Sequence, residues 1–376
     1  MDPMVVMTLD AGGTSFRFAA LRGEQAVTPV VTTPSYGDDL DRCLANIVDG
    51  FTRIQKLCPA PPRAISFAFP GPADYPRGII GDLCNLPCFR GGVALGPMLE
   101  EKFGIPVFIN NDGDLFACGE ASAGFLPHVN SLLEQAGRPK RYQNLLGVTL
   151  GTGFGGGIVR EGRLFCGDNS MAGEIHQLRH KLQPQMNVEE GASIRAVRRV
   201  YAEEAGIPLE QAPDPKVIEQ VALGDTPGQR AAAVEAYRRL GEVVGDALAQ
   251  ALALVDGLVV IGGGLSNAHR LFLPALIQEL NGTYKLADGR DRRRLAATVL
   301  NLEEESQLAE FLREGAREIT VPLSTKTVQY DPLPRLGIGI SRLGTTQAIA
   351  LGAYAFAQRA LTENSKRGEY NNSLSP

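Results

Sequence analysis

Two glycine-rich turns are the features of this sequence best suited to chemistry. The first is Asp10-Ala11-Gly12-Gly13-Thr14 and the second is Gly151-Thr152-Gly153-Phe154-Gly155, and each stands between two short apolar runs that predict strands. Glycine lets the backbone turn tightly and lets a ligand come close. Consecutive backbone N–H groups in such a turn form a cradle for phosphate oxygens. One cradle in each half of the chain predicts a site that clamps a polyphosphate.

Two common phosphate motifs do not account for these turns. The Gly-x-x-x-x-Gly-Lys-Ser/Thr pattern of a P-loop is absent. The second turn satisfies Gly-x-Gly-x-x-Gly, but a dinucleotide fold needs a helix directly after it, and 157–162 predicts a turn, a strand and a turn. An ordinary tight hairpin would explain either turn alone. It explains the set less well, because a third run, Gly262-Gly263-Gly264, follows an apolar strand pattern.

The elements that must position these turns alternate between helical and extended patterns. The periodicity of apolar residues predicts helices over 40–54, 97–103, 114–124, 234–251 and 345–361, and strands over 64–69, 106–110 and 257–261. Another helix is expected from about Ser266. The alternation predicts an α/β fold. Since each glycine turn joins two strands as in a hairpin, both sheets should be mixed.

Length and composition set the scale of the molecule. The chain has 376 residues, and single cores usually split beyond ~250–300 residues. The two glycine turns lie about 140 residues apart, which suggests a duplicated domain. We predict a smaller domain of 1–113 completed by a C-terminal helix over about 355–376. The larger domain would be 114–354.

Charge and apolar content exclude several classes of protein. Hydrophobic residues make up 44% and charged residues 21% of the chain, as in globular proteins. A net charge of -5 gives no positive field for nucleic acid. No apolar run approaches the ~18–20 residues of a membrane helix, and no signal peptide is evident. Six scattered cysteines are read as reduced thiols. We therefore expect a cytoplasmic protein without nucleic-acid or membrane partners.

The turn with Asp10 and Arg17 resembles the first phosphate loop of the superfamily of actin, hexokinase and the heat-shock ATPases, and the chain as a whole resembles the ROK family of bacterial sugar kinases. The matching blocks, in order, are the Asp10 turn, Pro70-Gly71-Pro72, Asn85-Leu86-Pro87, Asn111-Asp112, Gly151–Gly157, Ala172-Gly173-Glu174 and Ile261-Gly262-Gly263-Gly264. The resemblance implies an actin-like (ribonuclease H-like) ATPase fold, in which two domains each have a central mixed sheet flanked by helices.

The same resemblance implies an ATP-dependent, hexokinase-type phosphotransferase, glucokinase-like, with Asp112 as its catalytic base. A carboxylate within hydrogen-bond reach can take the proton of a sugar hydroxyl as the phosphoryl group arrives. The strand 106–110 delivers Asn111 and Asp112 at its carboxyl end. On the residues alone, a turn and a helix N-cap would explain this segment equally well. Asp10 would hold Mg²⁺, directly or through water; without the resemblance it is a structural Asp that accepts N–H groups of its turn.

The remaining site residues also come from the resemblance. The implied ATP contacts are Gly12, Gly13, Thr14, Arg17, Gly151, Thr152, Gly153, Gly155, and, under the adenine and ribose, Gly262, Gly263 and Gly264. The implied sugar contacts are Asn85, Asn111, Asp112, Glu174, His176, Gln177 and Glu189. Glu189 is chosen because Ser193 completes the Glu-x-x-x-Ser of the family, and the adjacent Glu190 is the alternative.

One segment departs from the family pattern. The family usually has Gly-Glu-Ile-Gly-His and then a cysteine-rich zinc segment, whereas this chain has Gly173-Glu174-Ile175-His176-Gln177 and no cysteine over 178–188. Counted without a gap, Gln177 takes the place of the histidine; after a one-residue slip, His176 does. His176 and His180 have the i, i+4 spacing of metal ligands on a helix. No third ligand is visible, so structural zinc is not expected.

Several alternatives stay open at this point. Glucose is the first choice of substrate, but fructose, mannose, allose and N-acetylhexosamines fit as well, because the discriminating contacts lie in the departed segment. Regulators of the family carry a helix-turn-helix before the first glycine turn, and the nine residues before Asp10 leave no room for one. A sugar-responsive regulator without its DNA-binding domain is the alternative of another class. A chaperone or filament ATPase would not need Asn85, Asn111, Asp112 and Glu174.

Two further expectations concern the surface. Family members commonly form dimers, so a homodimer is expected by analogy. The stretch 288–294 has four arginines, for which a solvated loop is favoured over a grip on phosphate. The residues 284–330 are otherwise assigned no role.

Overall fold

The structure is a computed structural model that describes residues 4–83, 86–332 and 334–373, with side chains described up to Glu363. The described residues fall into two compact units. The first unit draws on 1–124, 157–173 and 343–376, and the second on 125–156 and 174–342.

The strands, in chain order, are β1 Val5–Ala11, β2 Ser15–Arg22, β3 Gln25–Ala26, β4 Val31–Pro34, β5 Ala64–Ala68, β6 Ala73–Asp74, β7 Ile79–Ile80, β8 Val107–Asn110, β9 Leu145–Leu150, β10 Phe154–Arg160, β11 Arg163–Leu164, β12 Leu258–Gly262, β13 Thr283–Lys285, β14 Asp291–Arg293, β15 Thr298–Asn301, β16 Arg317–Thr320, β17 Thr327–Tyr330 and β18 Arg335–Ile340. The helices are α1 Leu40–Leu57, α2 Leu95–Phe103, α3 Asp112–Ser122, α4 Phe125–Gln135, α5 Ile194–Ala205, α6 Pro215–Leu223, α7 Arg230–Val255, α8 His269–Leu280, α9 Glu305–Leu312 and α10 Thr345–Ser373.

The first unit is built on a mixed sheet. Its strand order is β3-β2-β1-β5-β8, with β4 also paired to β2. The pairs that β2 makes with β1, β3 and β4 are antiparallel, while β1, β5 and β8 run parallel. Asp10 is in register with Ala68 on β5, and Ala68 is in register with Asn110 on β8. The carboxyl ends of these three strands therefore lie at one edge of the sheet.

Helices cover both faces of this sheet. Along β1, Met7 faces a core shared with α1, whereas Val6 faces a core shared with Tyr354 of α10. The α1 side is rich in phenylalanine, and the rings of Phe18 and Phe51 meet edge to face with centroids 5.1 Å apart. This alternation is the period of two that places successive side chains of a strand on opposite faces.

The helices α3 and α10 cross at very short range. A Cβ atom at Gly119 of α3 would overlap the carbonyl oxygen of Ala348, and a Cβ atom at Gly352 of α10 would overlap the carbonyl oxygen of Leu115. Glycine at both positions lets the two backbones touch. Because α10 also packs against β1, β5 and β8, this crossing fixes α3 on the sheet.

The second unit is built on a sheet whose order is β10-β9-β12-β18-β15. Strand β12 runs parallel to both β9 and β18, and β15 runs parallel to β18. The last residues of β10 group with the first unit, where they pair antiparallel with β11. Helix α7 packs against α5 and α8, and its Gly241 lies so close to α8 that a Cβ there would overlap the carbonyl oxygen of Phe272.

The element predictions are confirmed with shifted ends. The helix expected from 114 begins at Asp112, and the last helix continues past 361 to Ser373. The helix expected from Ser266 is preceded by a 3₁₀ turn, Gly264–Ala268, and starts at His269. The domain bounds stay a prediction. The compact units divide the chain at other residues, because α3 packs along α10 and so groups with the first unit.

The arginine run is more ordered than the expected loop. Its residues Asp291–Arg293 form β14, which pairs with β13 in a two-stranded ribbon. The side chain of Arg294 is only 5% exposed and forms ion pairs with Asp246, at 2.5 Å, and Glu279. Arg290 pairs with Asp288. Arg290 is therefore paired within the connection between β13 and β14, and Arg294 ties the end of β14 to α7 and α8.

Within the described ranges, none of the helices combines the length and the apolar character that crossing a bilayer requires.

Candidate active site

Asp112 lies where strand β8 ends and helix α3 begins. β8 ends at Asn110, and Asn111 caps α3, because its Oδ1 accepts the N–H of Asp114 at 2.6 Å. Asp112 is exposed, and its Oδ1 accepts the N–H of Gly113 at 2.9 Å. The N-cap interpretation is therefore right for Asn111, and it leaves the Asp112 carboxylate at the surface. A carboxylate at a helix N-terminus is also stabilised by the helix dipole.

Close packing explains why position 157, in the glycine run after the second turn, is a glycine. A Cβ atom at this position would lie 2.5 Å from the carbonyl oxygen of Gly113 and 2.8 Å from Cα of Asp114. Side chains do not tolerate such distances, so only glycine lets β10 lie against the first turn of α3. The backbone that carries Asp112 is thus held by packing as well as by its cap.

The first glycine turn, 11–14, joins β1 to β2 and is braced by Ser35. The N–H of Gly12 donates to the Ser15 carbonyl at 3.0 Å. The buried Ser35 donates its hydroxyl to the Gly13 carbonyl at 2.6 Å and its N–H to the Thr14 carbonyl at 3.1 Å. Gly13 and Thr14 are exposed. The turn is therefore fixed from inside while its outer surface stays accessible.

Asp10 and Arg17 are cross-strand partners beside this turn. They are opposite each other in the β1–β2 register, and both are exposed. Opposite residues of paired strands share a face of the sheet. Because Asp10 and Asn110 are in register two strands apart, and neighbouring strands lie ~4.8 Å apart, their backbones are roughly 10 Å apart. The turn and the Asp112 segment thus occupy the same sheet edge.

The second glycine turn, 151–153, has all three of its carbonyl groups hydrogen-bonded. The Gly151 carbonyl accepts the N–H of Ile194 at 2.8 Å, and the Thr152 carbonyl accepts Nη1 of Arg195 at 3.3 Å. The Gly153 carbonyl accepts the N–H of Gly151 at 3.0 Å. Two of the three donors belong to the first turn of α5, which therefore shapes the turn.

Glu189 lies against this turn. Its Oε2 accepts the N–H of Phe154 at 3.0 Å, and its Oε1 pairs with Nη2 of Arg195 at 2.9 Å. A Cβ atom at Gly153 would lie 2.6 Å from the same Oε2. Burial alone would raise the pKa of Glu189, but the hydrogen bonds from Arg195 and the Phe154 amide, with the charge of Arg195 and the nearby His176, lower that pKa below its ordinary value. Glu189 is therefore held as a carboxylate.

The neighbouring Glu190 has different partners. It pairs with Arg195, at 2.7 Å, and with Arg199, at 3.1 Å. The hydrogen bond from Arg195 has the largest effect and, with the bond from Arg199, lowers the pKa of Glu190, although burial opposes this shift. Of the two glutamates, Glu189 is the one whose carboxylate bonds the backbone of the second turn.

The spacing from Glu189 to Ser193 has a physical reason. Ser193 is fully buried and is the N-cap residue of α5, and its hydroxyl donates to the backbone carbonyl of Glu189 at 2.8 Å. The four-residue interval closes a tight turn that aims the glutamate at the glycine turn while α5 begins.

His176 pairs with Glu174 in the segment that departs from the family pattern. Nδ1 of His176 lies 3.0 Å from Oε2 of Glu174, and both side chains are about one-third exposed. Gln177 is exposed. Between His176 and Gln177, it is His176 that contacts Glu174, another residue predicted to bind the sugar.

His176 and His180, whose i, i+4 spacing would suit metal ligands on a helix, do not lie on a common helix. Only the 3₁₀ turn Ile175–Gln177 is helical here, and Nδ1 of the buried His180 accepts the N–H groups of Leu182 and Gln183, each at 3.1 Å. Burial, and then the charge of Arg199, lower the pKa of His180 below its ordinary value, so it is a neutral acceptor that orders its turn. In the part of the chain that the structure describes, no group of three or more His, Cys, Asp or Glu is placed to hold a metal.

The third glycine run follows β12 at the level where β9 ends. Gly262 is in register with Thr149 of β9. Gly263 has φ +87°, and a Cβ atom there would overlap the Leu150 carbonyl oxygen. Positive φ and close packing both require glycine. This run therefore lies directly beside the start of the second turn.

Asn85, the remaining predicted sugar contact, lies outside the described residues.

The chain matches the ROK family over residues 6–289. It belongs to the ROK family. A solved structure of glucokinase from Parabacteroides distasonis is 53% identical, covers 95% of this chain and 98% of its own, and superposes with a TM-score of 0.88. N-acetyl-D-glucosamine kinase of Photobacterium profundum is 32% identical over 70% of this chain and 85% of that protein. Glucokinase of Thermotoga maritima is 26% identical over 74% and 88%. The predicted fold class, the actin-like α/β ATPase fold, is confirmed.

Sequence reasoning missed Arg195 and Ser35. Arg195 bonds both Glu189 and the second turn, although the intervals involved, six and 43 residues, match no helical or strand period. Ser35 braces the first turn from 22 residues away. The only signal in the sequence was the cation close after two adjacent glutamates, Glu189 and Glu190, which by itself indicates an ion pair and not a brace of the turn.

Proposed function

We propose that this ROK protein is an ATP-dependent hexose kinase and that glucose is its substrate. The observation that carries the proposal is the exposed Asp112 carboxylate, which stands at the same sheet edge as the Asp10 glycine turn. Phosphoryl transfer to a hydroxyl group needs a base for the hydroxyl proton and a site that holds the phosphates. Both would lie at this one edge of the sheet. The 53% identity to a glucokinase along nearly the whole chain supports the choice of sugar.

Asp112 is the proposed base. A sugar hydroxyl donates its hydrogen bond to the Asp112 carboxylate, and the proton moves to that oxygen as the hydroxyl oxygen bonds the γ-phosphorus and ADP leaves. The N–H of Gly113 on Oδ1 fixes the orientation of the carboxylate. Asn111 Oδ1 is engaged by the helix cap, so its amide nitrogen is the atom proposed to donate to a sugar hydroxyl.

The nucleotide contacts follow the two turns. Gly13 and Thr14 supply backbone N–H donors to phosphate oxygens, and Arg17 supplies positive charge beside them. The N–H of Gly12 is bound to the Ser15 carbonyl, so the role proposed for Gly12 is to let the phosphate come close to the turn. In the second unit, Thr152 and Gly153 supply N–H donors, while the N–H of Gly151 is bound to the Gly153 carbonyl. Gly151 and Gly155 are proposed to line the turn beside the phosphates, and Gly262, Gly263 and Gly264 to pass under the nucleoside. Phosphate cradles of this kind work through aligned N–H groups.

Asp10 suits Mg²⁺. It is an exposed carboxylate next to the first turn, and Mg²⁺ is usually held by one or two carboxylates with water and substrate phosphates. When bound, Mg²⁺ would neutralise the phosphate charge. The Asp10 side chain, adjacent to Arg17, would set the position of the polyphosphate.

Sugar recognition is assigned to carboxylate, amide and imidazole groups. The proposed partners of the sugar hydroxyls are the pair Glu174 and His176, together with Glu189 and Asn111. Further contacts are proposed for Asn85 and Gln177. Glu174 and His176 act as a bonded pair, so one side chain orients the other. N-acetylglucosamine is the second candidate substrate, because a relative of that name is 32% identical over 70% of this chain.

A panel of sugars tests the proposal. Purified full chain with ATP and Mg²⁺ is given glucose, N-acetylglucosamine, mannose, fructose or allose, and ADP release is followed. Glucose should give the highest kcat/KM. A higher value for N-acetylglucosamine would reverse the sugar assignment and leave the kinase class standing. ATP turnover that no sugar stimulates would contradict the kinase proposal. Light scattering on the same sample tests the expected homodimer.

A further inference from the structure

Arg195 binds three different groups of the candidate site at once. It is the second residue of α5, and its guanidinium donates to the Thr152 carbonyl at 3.3 Å and to Glu189 Oε1 at 2.9 Å. It also holds Oε1 of Glu190 with Nε at 3.1 Å and Nη2 at 2.7 Å. The planar fork of arginine is suited to several acceptors in fixed directions.

The contact with Thr152 determines where the second turn directs its N–H groups. In a trans peptide the C=O of one residue and the N–H of the next point in opposite directions. Because the Gly151 and Thr152 carbonyls are bound by Ile194 and Arg195 of α5, the N–H groups of Thr152 and Gly153 point away from α5. Arg195 thereby orients the Gly153 amide that the proposed phosphate site uses.

The contact with Glu189 fixes the proposed sugar ligand. Oε1 of Glu189 is held by Arg195, and Oε2 is held by the N–H of Phe154 at the end of the same turn. Arg195, Glu189 and the turn thus form a closed ring of hydrogen bonds. A shift of Glu189 moves the turn through two separate bonds, and a shift of the turn moves Glu189.

We propose that Arg195 is a positioning residue that couples the two substrates, so that sugar held at Glu189 strengthens nucleotide binding at the second turn. The inference rests on the proposed function. Coupling of this kind is reciprocal: nucleotide must strengthen sugar binding by the same factor. An exposed ion pair without such a role would contribute little, and the side chain of Arg195 is 46% exposed. The two roles differ in what its removal does to the coupling.

Calorimetry separates the two roles. The dissociation constant of glucose is measured alone and with a saturating non-hydrolysable ATP analogue plus Mg²⁺, for wild type, Arg195→Gln, Arg195→Lys and Arg198→Gln. Arg198 is the matched control, because it lies on the same helix and its guanidinium donates to the Ala212 carbonyl, with Nε at 3.2 Å and Nη2 at 2.9 Å. Melting temperatures monitor the folding of each variant.

Wild type should bind glucose at least about fivefold more tightly with the analogue present, at the lower end of common coupling factors. Arg198→Gln should keep this factor, Arg195→Gln should reduce it to about one, and Arg195→Lys should fall between, since lysine keeps the charge without the fork. Coupling absent in wild type, or retained in Arg195→Gln, would overturn the inference. Since sugar-dependent ADP release by wild type is measured separately, its absence would mark the failure of the proposed function instead.

Discussion

The two glycine turns have one backbone design and two kinds of support. Each joins a strand that is central in its sheet to a neighbouring strand. The first turn is braced by the neutral hydroxyl and N–H of Ser35. The second is held by charged groups, Arg195 on its Thr152 carbonyl and Glu189 on its Phe154 amide.

The charges of the first turn are placed differently. Asp10 and Arg17 lie on the strands beside the turn and are exposed, so they are presented to a ligand. Around the second turn, the charges bond the turn itself. The two turns thus share a backbone design but use charged residues differently. At the first turn the charged side chains face a ligand, and at the second turn they connect the turn to Glu189, a proposed sugar contact. Substitutions at the two turns should therefore have unequal effects.

The largest effect is expected at Asp112, which belongs to neither turn. Asp112→Asn should lower kcat by about 10²–10⁴-fold, the usual contribution of general base catalysis. Glucose binding should change only a few-fold, because the side chain is exposed and its bond to the Gly113 N–H is retained by the amide oxygen. Steady-state kinetics with calorimetry measures both. Asp49→Asn, on the exposed face of α1, serves as control, and turnover unchanged in Asp112→Asn would reject the base.

A methyl group placed in each turn sharpens the comparison. Gly153→Ala would set its Cβ 2.6 Å from Glu189 Oε2, whereas Gly13→Ala meets no atom within 4 Å. Displacement of a positioning group by about 1 Å can cost up to about 100-fold in rate. We expect Gly153→Ala to lower kcat/KM for glucose about 10- to 100-fold and Gly13→Ala to leave that value within a few-fold. Equal losses for glucose would contradict the difference between the turns.

The two buried serines provide a milder version of the same test. Ser35→Ala removes a bond to the Gly13 carbonyl, and Ser193→Ala removes a bond to the Glu189 carbonyl. Each should reduce the free energy of unfolding by about 1 kcal/mol, the typical net value of one hydrogen bond. Denaturant titrations measure these losses. Kinetics should separate them: Ser35→Ala should raise KM for ATP more than KM for glucose, and Ser193→Ala should do the reverse.

The smallest effect is a pH dependence of stability. The pKa values of Glu189 and Glu190 are lowered in the folded chain, so their contribution is present above the ordinary value of 4.5 and is lost as the pH falls through the lowered values. The side chains of Arg195, Glu189 and Glu190 are a quarter to a half exposed. Arg195→Gln should therefore lower the free energy of unfolding by less than about 1 kcal/mol at pH 7. Urea titrations at neutral and acidic pH should show this difference shrinking in acid; a difference that grows would contradict the assignment.

The parts predictable from sequence were those set by local pattern. The apolar run 106–110 ending at Asn111 placed Asp112 at a strand end, and the glycine turns were evident from composition. The start of α3 was two residues off, because Asn111 takes the cap. The ion pairs of Arg294 also escaped, since they join residues 48 and 15 positions away.

The support of the second turn could not be predicted in the same way. The ring formed by Arg195, Glu189 and the Phe154 amide depends on where β10, the 3₁₀ turn Val188–Glu190 and α5 meet. No local periodicity encodes that meeting point. The contact between His176 and Glu174 depends likewise on a 3₁₀ turn, which the sequence pattern did not indicate.

Transfer of phosphate from ATP to a sugar can be observed by following the γ-phosphoryl group itself. ATP labelled at that group is incubated with the full chain, Mg²⁺ and glucose, and the labelled products are separated. Label should appear in a glucose phosphate, one for each ADP formed, and this product should be lost in Asp112→Asn. Label that appears only as inorganic phosphate, at the same rate with and without sugar, would contradict the proposed transfer.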